Sequence, residues 1–205
     1  MSTDEAGHVT GDVTVVVLAG GTSRRFGSDK LAAPLHGSTV LDTVVASLPP
    51  QWPIVAVGPA RDGERLVTWA REDPPGGGPL AAVAAGVGHV ETDLVAVVAG
   101  DMPYAGPALV ALVAALRAAP HEVEGVVATD DDGVANPLLA AYRVGAVRAM
   151  LPTPAHRRPA KVLLGLAHVE LAVPGDAARD VDTPADLEQL RGRGSGRHDV
   201  SGTAG

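Results

Sequence analysis

One stretch near the N-terminus, VLAGGTSRRFGSDK, combines residue types that can hold a polyphosphate. Gly20 and Gly21 would expose backbone N–H groups, because no side chain keeps a ligand away from them. Ser23 can donate a hydrogen bond, and Arg25 and Lys30 supply positive charge. Charge of this kind can offset the negative charge on a leaving diphosphate. The stretch therefore predicts a phosphate-binding loop, with a tight glycine turn and solvated basic side chains as the alternative.

Two better-known glycine loops do not fit this stretch. A P-loop needs the pattern GxxxxGK[ST], and neither Gly21 nor Gly27 begins or ends such a pattern. A dinucleotide fingerprint needs the spacing GxGxxG. The adjacent glycines Gly20 and Gly21, followed by Thr22, do not have that spacing. Gly27 and Pro34 also interrupt any helix that would follow. A nicotinamide-dependent dehydrogenase is therefore disfavoured, and a longer irregular loop with charged donors remains.

A single carboxylate follows another apolar segment. Asp101 follows the run 94–99 after a single glycine and precedes Met102-Pro103. Magnesium prefers few carboxylates together with phosphate oxygens and water, so one or two Asp side chains would suffice. Asp101 is the first candidate ligand, and a turn or helix-capping role is the alternative. The run Asp130–Asp132 precedes a glycine and is more typical of a solvated turn.

Apolar β-branched runs alternate with Ala- and Leu-rich segments along the chain. Strands are predicted at 13–19, 54–57, 66–71, 94–99, 126–129, 138–142 and 168–173, and helices at 39–48, 79–87, 107–119, 144–151 and 183–190. This alternation predicts an α/β fold, a three-layer sandwich with a mostly parallel Rossmann-like sheet. Ligands of such sheets bind beyond the carboxyl ends of the strands. The glycine loop and Asp101 are both expected at that edge.

Composition restricts the class of protein. The 205 residues are 46% apolar but only 2% aromatic, so Val, Leu and Ala must fill one core. A net charge of −8 disfavours a nucleic-acid binder. Because the chain has no cysteine, no membrane-length apolar run and no signal-like N-terminus, a cytoplasmic location without membrane contact is expected. We predict a disordered leader over 1–11, one domain over 12–190 and a disordered tail over 191–205.

Five blocks carry a resemblance to a known family. LAGGTSRRFGSDK resembles the LAGGxSxRxGxDK signature of nucleotidyltransferases that act on the molybdenum cofactor. GGGPLAA at 76–82, VVAGDMP at 97–103, NPLLAAY at 136–142 and VDTPADL at 181–187 resemble its later blocks. They occur in the family's order and span most of Val13–Leu190. Five blocks in order are much more specific than any one of them.

The resemblance is strongest to the molybdenum cofactor guanylyltransferases. It implies a nucleotide-diphospho-sugar transferase type of fold and transfer of GMP from GTP to the terminal phosphate of molybdopterin, with release of diphosphate. Sister cytidylyltransferases usually have LAAG where this chain has LAGG, which favours GTP over CTP. A cytidylyl or other nucleotidyl transfer to a cofactor or sugar phosphate, and a nucleotide-binding module without catalysis, remain the alternatives.

The same resemblance assigns roles to residues. Arg25, Lys30 and Asp101 are the expected catalytic residues, and Mg²⁺ is the expected cofactor. Asp101 is the first expected metal ligand, and Asp182 is a weaker second one, because the family often has Asn there and Asp182 could instead help to cap the final helix. The expected nucleotide-binding residues are Leu18, Ala19, Gly20, Gly21, Ser23, Lys30, Asp73, Gly78, Pro79, Leu80 and Asp101.

Two further groups of residues concern recognition of the base and of the second substrate. Asp73 falls near the family's guanine-contacting acid, since a carboxylate can accept from guanine N1–H and the exocyclic amine. The basic cluster His156–Arg158 with Lys161 could hold a pterin phosphate, but a solvated helix surface is favoured. The expected partners are GTP and molybdopterin, together with a molybdenum-insertion protein or the apoenzyme. The expected assembly is a monomer or weak oligomer.

Overall fold

The computed structural model describes residues 12–21 and 25–194. The predicted leader, Ser23 and residues 195–205 of the predicted tail lie outside the described residues. In the described part of the chain, the strands are β1 Val13–Leu18, β2 Pro34–Leu35, β3 Ser38–Thr39, β4 Ile54–Val57, β5 Thr68–Ala70, β6 Leu94–Ala99, β7 Gly125–Thr129, β8 Ala135–Arg143 and β9 His168–Ala172. The α-helices are α1 Val40–Ser47, α2 Pro79–Val87, α3 Gly106–Ala118, α4 Val144–Met150, α5 Gly175–Ala178 and α6 Pro184–Gly194.

Seven strands form one central sheet in the order β5-β4-β1-β6-β8-β7-β9. Strands β1, β4, β5 and β6 pair in parallel, and β7 pairs in parallel with β9. Only β8 runs the other way, between β6 and β7. The predicted mostly parallel sheet is therefore confirmed, with one antiparallel strand inserted near one edge.

Helices cover both faces of this sheet. Val15 and Val17 of β1 join a core with α1 and α3, whereas Val16 joins a second core with α2 and α4. Successive side chains of a strand point to opposite faces, so a continuous valine run serves two cores. This arrangement confirms the predicted three-layer sandwich. Val, Leu and Ala make up nearly all of both cores, as the shortage of aromatic residues requires.

A small third core joins the two ends of the described chain. Leu35 in the β2–β3 hairpin packs with Val181, Leu187 and Leu190 beside and within α6. Arg191 adds hydrogen bonds from its guanidinium to the Pro34 carbonyl oxygen. The segment after the glycine loop is thereby fixed against α6 and the residues just before it, which brings the predicted LAGG and VDTPADL blocks together.

Several short elements were not predicted. These are the β2–β3 hairpin, the 3₁₀ helices Lys30–Ala32 and Ala160–Gly165, and α5. Elements of two to six residues are too short to show a periodic pattern. Helix α6 also continues to Gly194, so the first four residues of the predicted tail are helical. No helix in the described ranges has the length and apolar character needed to cross a membrane.

Candidate active site

The turn after β1 is shaped by glycine. Gly21 adopts a φ of 123°, a conformation that side-chain-bearing residues rarely take. The neighbouring loop after β4 presses against this turn, since a Cβ on Gly58 would lie 2.4 Å from the Ala19 carbonyl oxygen. Ala19 N–H donates to the Val57 carbonyl oxygen at 2.9 Å. Two parallel strands therefore end at the same edge and support an open backbone turn.

Lys30 begins a short 3₁₀ helix, Lys30–Ala32, that has its own cap. The Asp29 carboxylate accepts from the Leu31 N–H at 3.1 Å, and Leu31 is buried beneath it. Arg61 donates to the other Asp29 oxygen at 2.6 Å. This ion pair and hydrogen bond hold the pKa of Asp29 below its usual value. Capping and burial together fix the backbone from which the Lys30 side chain extends.

Asp101 lies where β6 ends, as expected. Gly100 precedes it and donates its N–H to the Leu18 carbonyl oxygen at 2.9 Å. The Asp101 carbonyl oxygen accepts from Val181 N–H at 2.9 Å, which joins this turn to the segment before α6. No side chain caps α3, so the alternative of Asp101 as the cap of that helix is not what the structure shows.

The segment before α6 brings Asp182 to the same place. Asp186 accepts from the N–H groups of Thr183 at 2.7 Å and Asp182 at 3.2 Å. Asp186 therefore stabilises the start of α6, and the Asp182 side chain is free of the capping role that was its alternative. The carboxylate of Asp182 faces the basic side chains of the loop instead.

Lys30 bridges two carboxylates that are far apart in sequence. Its Nζ lies 2.5 Å from Asp101 Oδ2 and 3.0 Å from Asp182 Oδ1. Burial alone would lower the pKa of Lys30, but the hydrogen bond and charge of Asp101, helped by Asp182, outweigh burial and raise this pKa. Arg25 binds the other oxygen of Asp182 at 2.7 Å from a 78% exposed side chain. Lys30 and Asp101 are only 16% exposed, so their pair is the better shielded of the two.

A third carboxylate completes this group. Asp101, Asp180 and Asp182 each place an oxygen within 4.8 Å of the others. The pKa of Asp180 lies above its usual value, first because protein atoms displace part of its solvent and then because Asp101 and Asp182 carry like charge. Asp101 Oδ1 is buried and has no hydrogen-bond partner. Clustered carboxylate oxygens with one unsatisfied buried member fit a hard divalent cation.

Two of these charged side chains, Lys30 and Asp101, line one end of a cleft of about 360 Å³. Leu18, Gly20, Gly21, Lys30 and Asp101 form that end. The opposite wall is a strap over residues 76–79, of which Gly76, Gly78 and Pro79 line the cleft, together with Glu72, Ala82 and Leu138. The cleft therefore has the Lys30–Asp101 ion pair at one end, and glycine backbone, apolar surface and the Glu72 carboxylate at the other.

The predicted nucleotide-binding residues divide into two groups. Seven of them line the cleft: Leu18, Gly20, Gly21, Lys30, Gly78, Pro79 and Asp101. Ala19 and Leu80 are buried in the protein core and do not line it. Asp73 does not line it either, and the neighbouring Glu72 does. Glu72 accepts from the Gly76 N–H at 3.2 Å, so this acid supports the strap.

Sequence reasoning missed Asp180 and Glu72. The signal for Asp180 was the repeat DVD, in which two acids separated by one residue can converge when the backbone bends. The signal for Glu72 was its position next to Asp73. If the strand ends one residue earlier than predicted, Glu72 takes the place in the cleft that was assigned to Asp73. The Asp130–Asp132 run forms the expected turn, in which Asp130 Oδ1 accepts from Asp132 and Val134 N–H groups.

A larger cavity, of about 590 Å³, lies elsewhere, between α1, the 61–67 loop and Trp69. It contains none of the glycines of the loop or strap and none of the clustered carboxylates. Size alone would select this cavity, but the chemistry of the lining residues selects the smaller cleft.

The sequence as a whole matches a known domain. The model of the MobA-like NTP transferase domain, NTP being nucleoside triphosphate, matches residues 15–170. The chain belongs to the MobA-like NTP transferase family. The matched region contains both walls of the cleft, Lys30 and Asp101. The match includes four of the five sequence blocks, all but the one at 181–187, and it confirms the predicted family and the predicted class of enzyme, a nucleotidyltransferase.

Relatives and solved structures agree with this family. The chain is 30% identical to the probable molybdenum cofactor guanylyltransferase of Natronomonas pharaonis, covering 89% of this chain and 98% of that protein. It is 31% identical to the probable guanylyltransferase of Deinococcus radiodurans, over 89% and 95% of the two chains. The structure of molybdopterin-guanine dinucleotide biosynthesis protein A from Archaeoglobus fulgidus superposes with a TM-score of 0.67 at 25% identity, over 89% of this chain and 98% of that one.

A more distant structure supports the fold alone. The 2-C-methyl-D-erythritol 4-phosphate cytidylyltransferase of Thermus thermophilus matches with a TM-score of 0.65 at 18% identity, over 89% of this chain and 98% of that one. The predicted nucleotide-diphospho-sugar transferase type of fold is therefore confirmed.

Proposed function

We propose that this protein transfers GMP from GTP to the terminal phosphate of molybdopterin and releases diphosphate. The observation that carries the proposal is the convergence of the Gly20-Gly21 turn, Lys30 and the Asp101 carboxylate at one end of a single cleft. The names of the relatives at about 30% identity, which are guanylyltransferases of the molybdenum cofactor, support the choice of substrates.

The charged end of the cleft would hold the triphosphate. Gly20 and Gly21 offer backbone N–H groups to phosphate oxygens. Lys30 and Arg25, now paired with carboxylates, would neutralise charge that develops on the leaving diphosphate. A nucleotide-binding module without catalysis would use the same charge to hold the phosphates, so it is the match to the MobA-like NTP transferase domain that favours an enzyme.

Asp101, Asp180 and Asp182 would hold Mg²⁺, since hard oxygen ligands and one unpartnered buried oxygen suit it. When bound, Mg²⁺ would offset negative charge on the phosphate oxygens of the nucleotide. Lys30 would then exchange its carboxylate partners for phosphate oxygens, because a divalent ion and an ammonium group compete for the same carboxylates.

The proposed chemistry needs no covalent enzyme intermediate. A terminal phosphate oxygen of the acceptor forms the new bond to the α-phosphorus of GTP, and the bond from that phosphorus to the diphosphate oxygen breaks. The products are the dinucleotide and diphosphate. The protein contributes positioning and charge neutralisation, for which the rigid turn after β1 and the capped Lys30 helix are suited.

The opposite wall would take the base. A carboxylate that accepts from guanine N1–H and the exocyclic amine discriminates against cytosine, which lacks that pair of donors. Asp73 remains our predicted guanine contact, and Glu72 is the acid that lines the cleft. Conversion of each acid separately to its amide would show which of them sets nucleotide preference.

The proposal extends to the second substrate, the location of the protein and its partner. The exposed Arg157 and Arg158 lie beside the strap and form a basic surface. This surface could bind the phosphate of the pterin substrate. We also propose a cytoplasmic location and a molybdenum-insertion protein or the apoenzyme as partner.

Diphosphate release with GTP, CTP, ATP and UTP, with and without molybdopterin, tests the function. We expect release only with GTP and molybdopterin together, and a dinucleotide product of matching mass. Release with CTP instead would establish a cytidylyltransferase. Binding of GTP without release under any condition would show a binding module and refute the proposal.

A further inference from the structure

We propose that His156 is a positioning residue that sets the strap of residues 76–79 against the nucleotide. The proposal rests on the function proposed above, and it assigns a role in that reaction to a side chain that is not among the predicted nucleotide-binding residues. His156 belongs to a turn over residues 153–158 that packs on the outer side of the strap.

The turn and the strap are joined at one glycine. Arg157 N–H donates to the Gly77 carbonyl oxygen at 2.7 Å. A Cβ placed on Gly77 would lie 3.0 Å from His156 Nδ1 and 2.7 Å from the Ala81 Cβ. The imidazole therefore occupies the space that any larger residue at 77 would need. One backbone hydrogen bond and one ring contact hold the middle of the strap from behind.

The turn is itself well supported. Arg157 has a φ of 57°, which its backbone hydrogen bond to the strap helps to maintain. The following 3₁₀ helix, Ala160–Gly165, buries Leu163 in the core that lies under α2. Ala155 packs on the same core. Movement of the strap relative to the sheet is therefore resisted through the turn.

The His156 ring has an unused polar atom. Its Nδ1 is buried and lacks a hydrogen-bond partner. A buried polar atom without a partner carries a free-energy cost that the molecule normally recovers elsewhere. Nδ1 faces Gly77, so a strap N–H that turns toward it as the cleft fills with nucleotide would satisfy it. The hydrogen bond would then exist only in the nucleotide complex and would favour that complex.

The other side of the strap explains why its position matters. Gly76, Gly78 and Pro79 line the cleft opposite Lys30 and Asp101. A nucleotide whose phosphates lie at the charged end places its base against this wall. Loss of support behind the strap would widen the base end and leave the phosphate end unchanged, which would weaken nucleotide binding more than it slows the chemical step.

Steady-state kinetics and GTP binding by calorimetry test this with His156→Ala, His156→Asn and His156→Gln. For His156→Ala we expect the KM and Kd for GTP to rise roughly tenfold, the loss of about one hydrogen bond, with kcat within about twofold. Asn places a polar atom near the position of Nδ1 and should restore most of the affinity. Gln reaches the position of Nε2 and should not. His168→Ala, which removes another partly buried imidazole far along the sheet, is the matched control.

The outcomes separate this role from the proposed function. Unchanged GTP affinity in His156→Ala, with active wild-type protein, would overturn the positioning role alone. Equal loss of affinity in all three variants would show that the ring only fills space, and would also overturn it. A wild-type protein that binds no GTP would overturn both proposals. If His156→Ala failed to fold, the contrast between the Asn and Gln variants would decide.

Discussion

Lys30 Nζ lies 2.5 Å from Asp101 Oδ2, although 71 positions separate the two residues in the sequence. The same ammonium group lies 3.0 Å from Asp182 Oδ1. The protein thus places its own cation among the carboxylates that suit a divalent ion. A nucleotide or a metal ion that binds here would have to compete with these ion pairs.

Loss of Lys30 should reduce turnover. We expect Lys30→Ala to lower kcat by roughly 10²–10³-fold, since one preorganised charge at a developing oxyanion has about that effect. Stopped assays of diphosphate release measure it. Arg117→Ala, which removes a surface cation paired with Asp12, is the control and should keep wild-type activity. A fully active Lys30→Ala protein would remove the assigned role.

Metal binding without nucleotide should become tighter when Lys30 is neutralised. In Lys30→Met the carboxylates of Asp101 and Asp182 lose their bound ammonium, so we expect Mn²⁺ affinity to rise by at least about tenfold. Free Mn²⁺ measured by electron paramagnetic resonance reports this directly. The other lysine of the chain, Lys161, gives the matched control as Lys161→Met. Equal affinities in Lys30→Met and wild type would contradict competition for one site.

The carboxylates of Asp101 and Asp182 should not contribute equally to turnover. Asp101 has a buried unpartnered oxygen, whereas both Asp182 oxygens are already paired with basic groups. We expect Asp101→Asn to lower kcat by about 10²-fold or more. Asp182→Asn should have a milder effect, because the Asp182 side chain is more exposed and both of its oxygens are already paired with basic groups. Activity titrated with Mg²⁺ compares them, with the exposed Asp62→Asn as control. The reverse order of severity would show that Asp182 is the principal ligand.

Arg65 should be a major contributor to stability outside the site. Its guanidinium donates to the carbonyl oxygens of five residues at the end of α1 and just beyond, at 2.7–3.3 Å: Val45, Leu48, Pro49, Pro50 and Trp52. Burial lowers the pKa of this guanidinium, but the carbonyl oxygens replace the lost water. We expect Arg65→Ala to lower the free energy of unfolding by about 2–3 kcal/mol, measured by urea denaturation.

Two companion variants define the cause of that loss. Arg65→Lys should recover little of it, because a point charge cannot span carbonyl oxygens arranged around a planar fork. Arg117→Ala should cost less than about 1 kcal/mol, as exposed ion pairs do. Full rescue by lysine would mean that charge alone, and not the geometry of the fork, stabilises this helix end.

The Asp29–Arg61 pair should make the stability of the fold depend measurably on pH. The pKa of Asp29 lies below its ordinary value of 3.8, chiefly because of the hydrogen bond from Arg61. A carboxyl group with a lowered folded-state pKa stabilises the fold above its unfolded pKa, and this stabilisation disappears as pH falls through the folded pKa. In Arg61→Ala the Asp29 pKa should return toward 3.8, as measured by NMR titration of the carboxyl carbon. An unchanged titration would show that the backbone cap alone sets this pKa.

The strands that carry the site were predictable from local composition. The valine run of β1 and the apolar run of β6 are buried on both faces, and each ends at a residue pattern that sheet geometry places at the ligand edge. The antiparallel direction of β8 was also available in principle. Only five residues, 130–134, separate β7 from β8, which is too short for the crossover that a parallel pair needs.

The sequence on its own determined which residue types are available for chemistry and at which edge of the sheet they lie. These are glycines that open a turn, a lysine in the same loop, and an aspartate after a buried strand. Tertiary structure alone decided which groups meet. Lys30 reaches Asp182 across 152 positions only because the β2–β3 hairpin packs on α6. Asp180 lies in the same segment before α6 and joins the carboxylates there. The position of Glu72 at the cleft and that of His156 behind the strap were likewise decided by packing between segments that are distant in the sequence. Local patterns record the burial and backbone preference of one segment, whereas contacts between distant segments depend on sheet order and shared cores, which no single segment encodes.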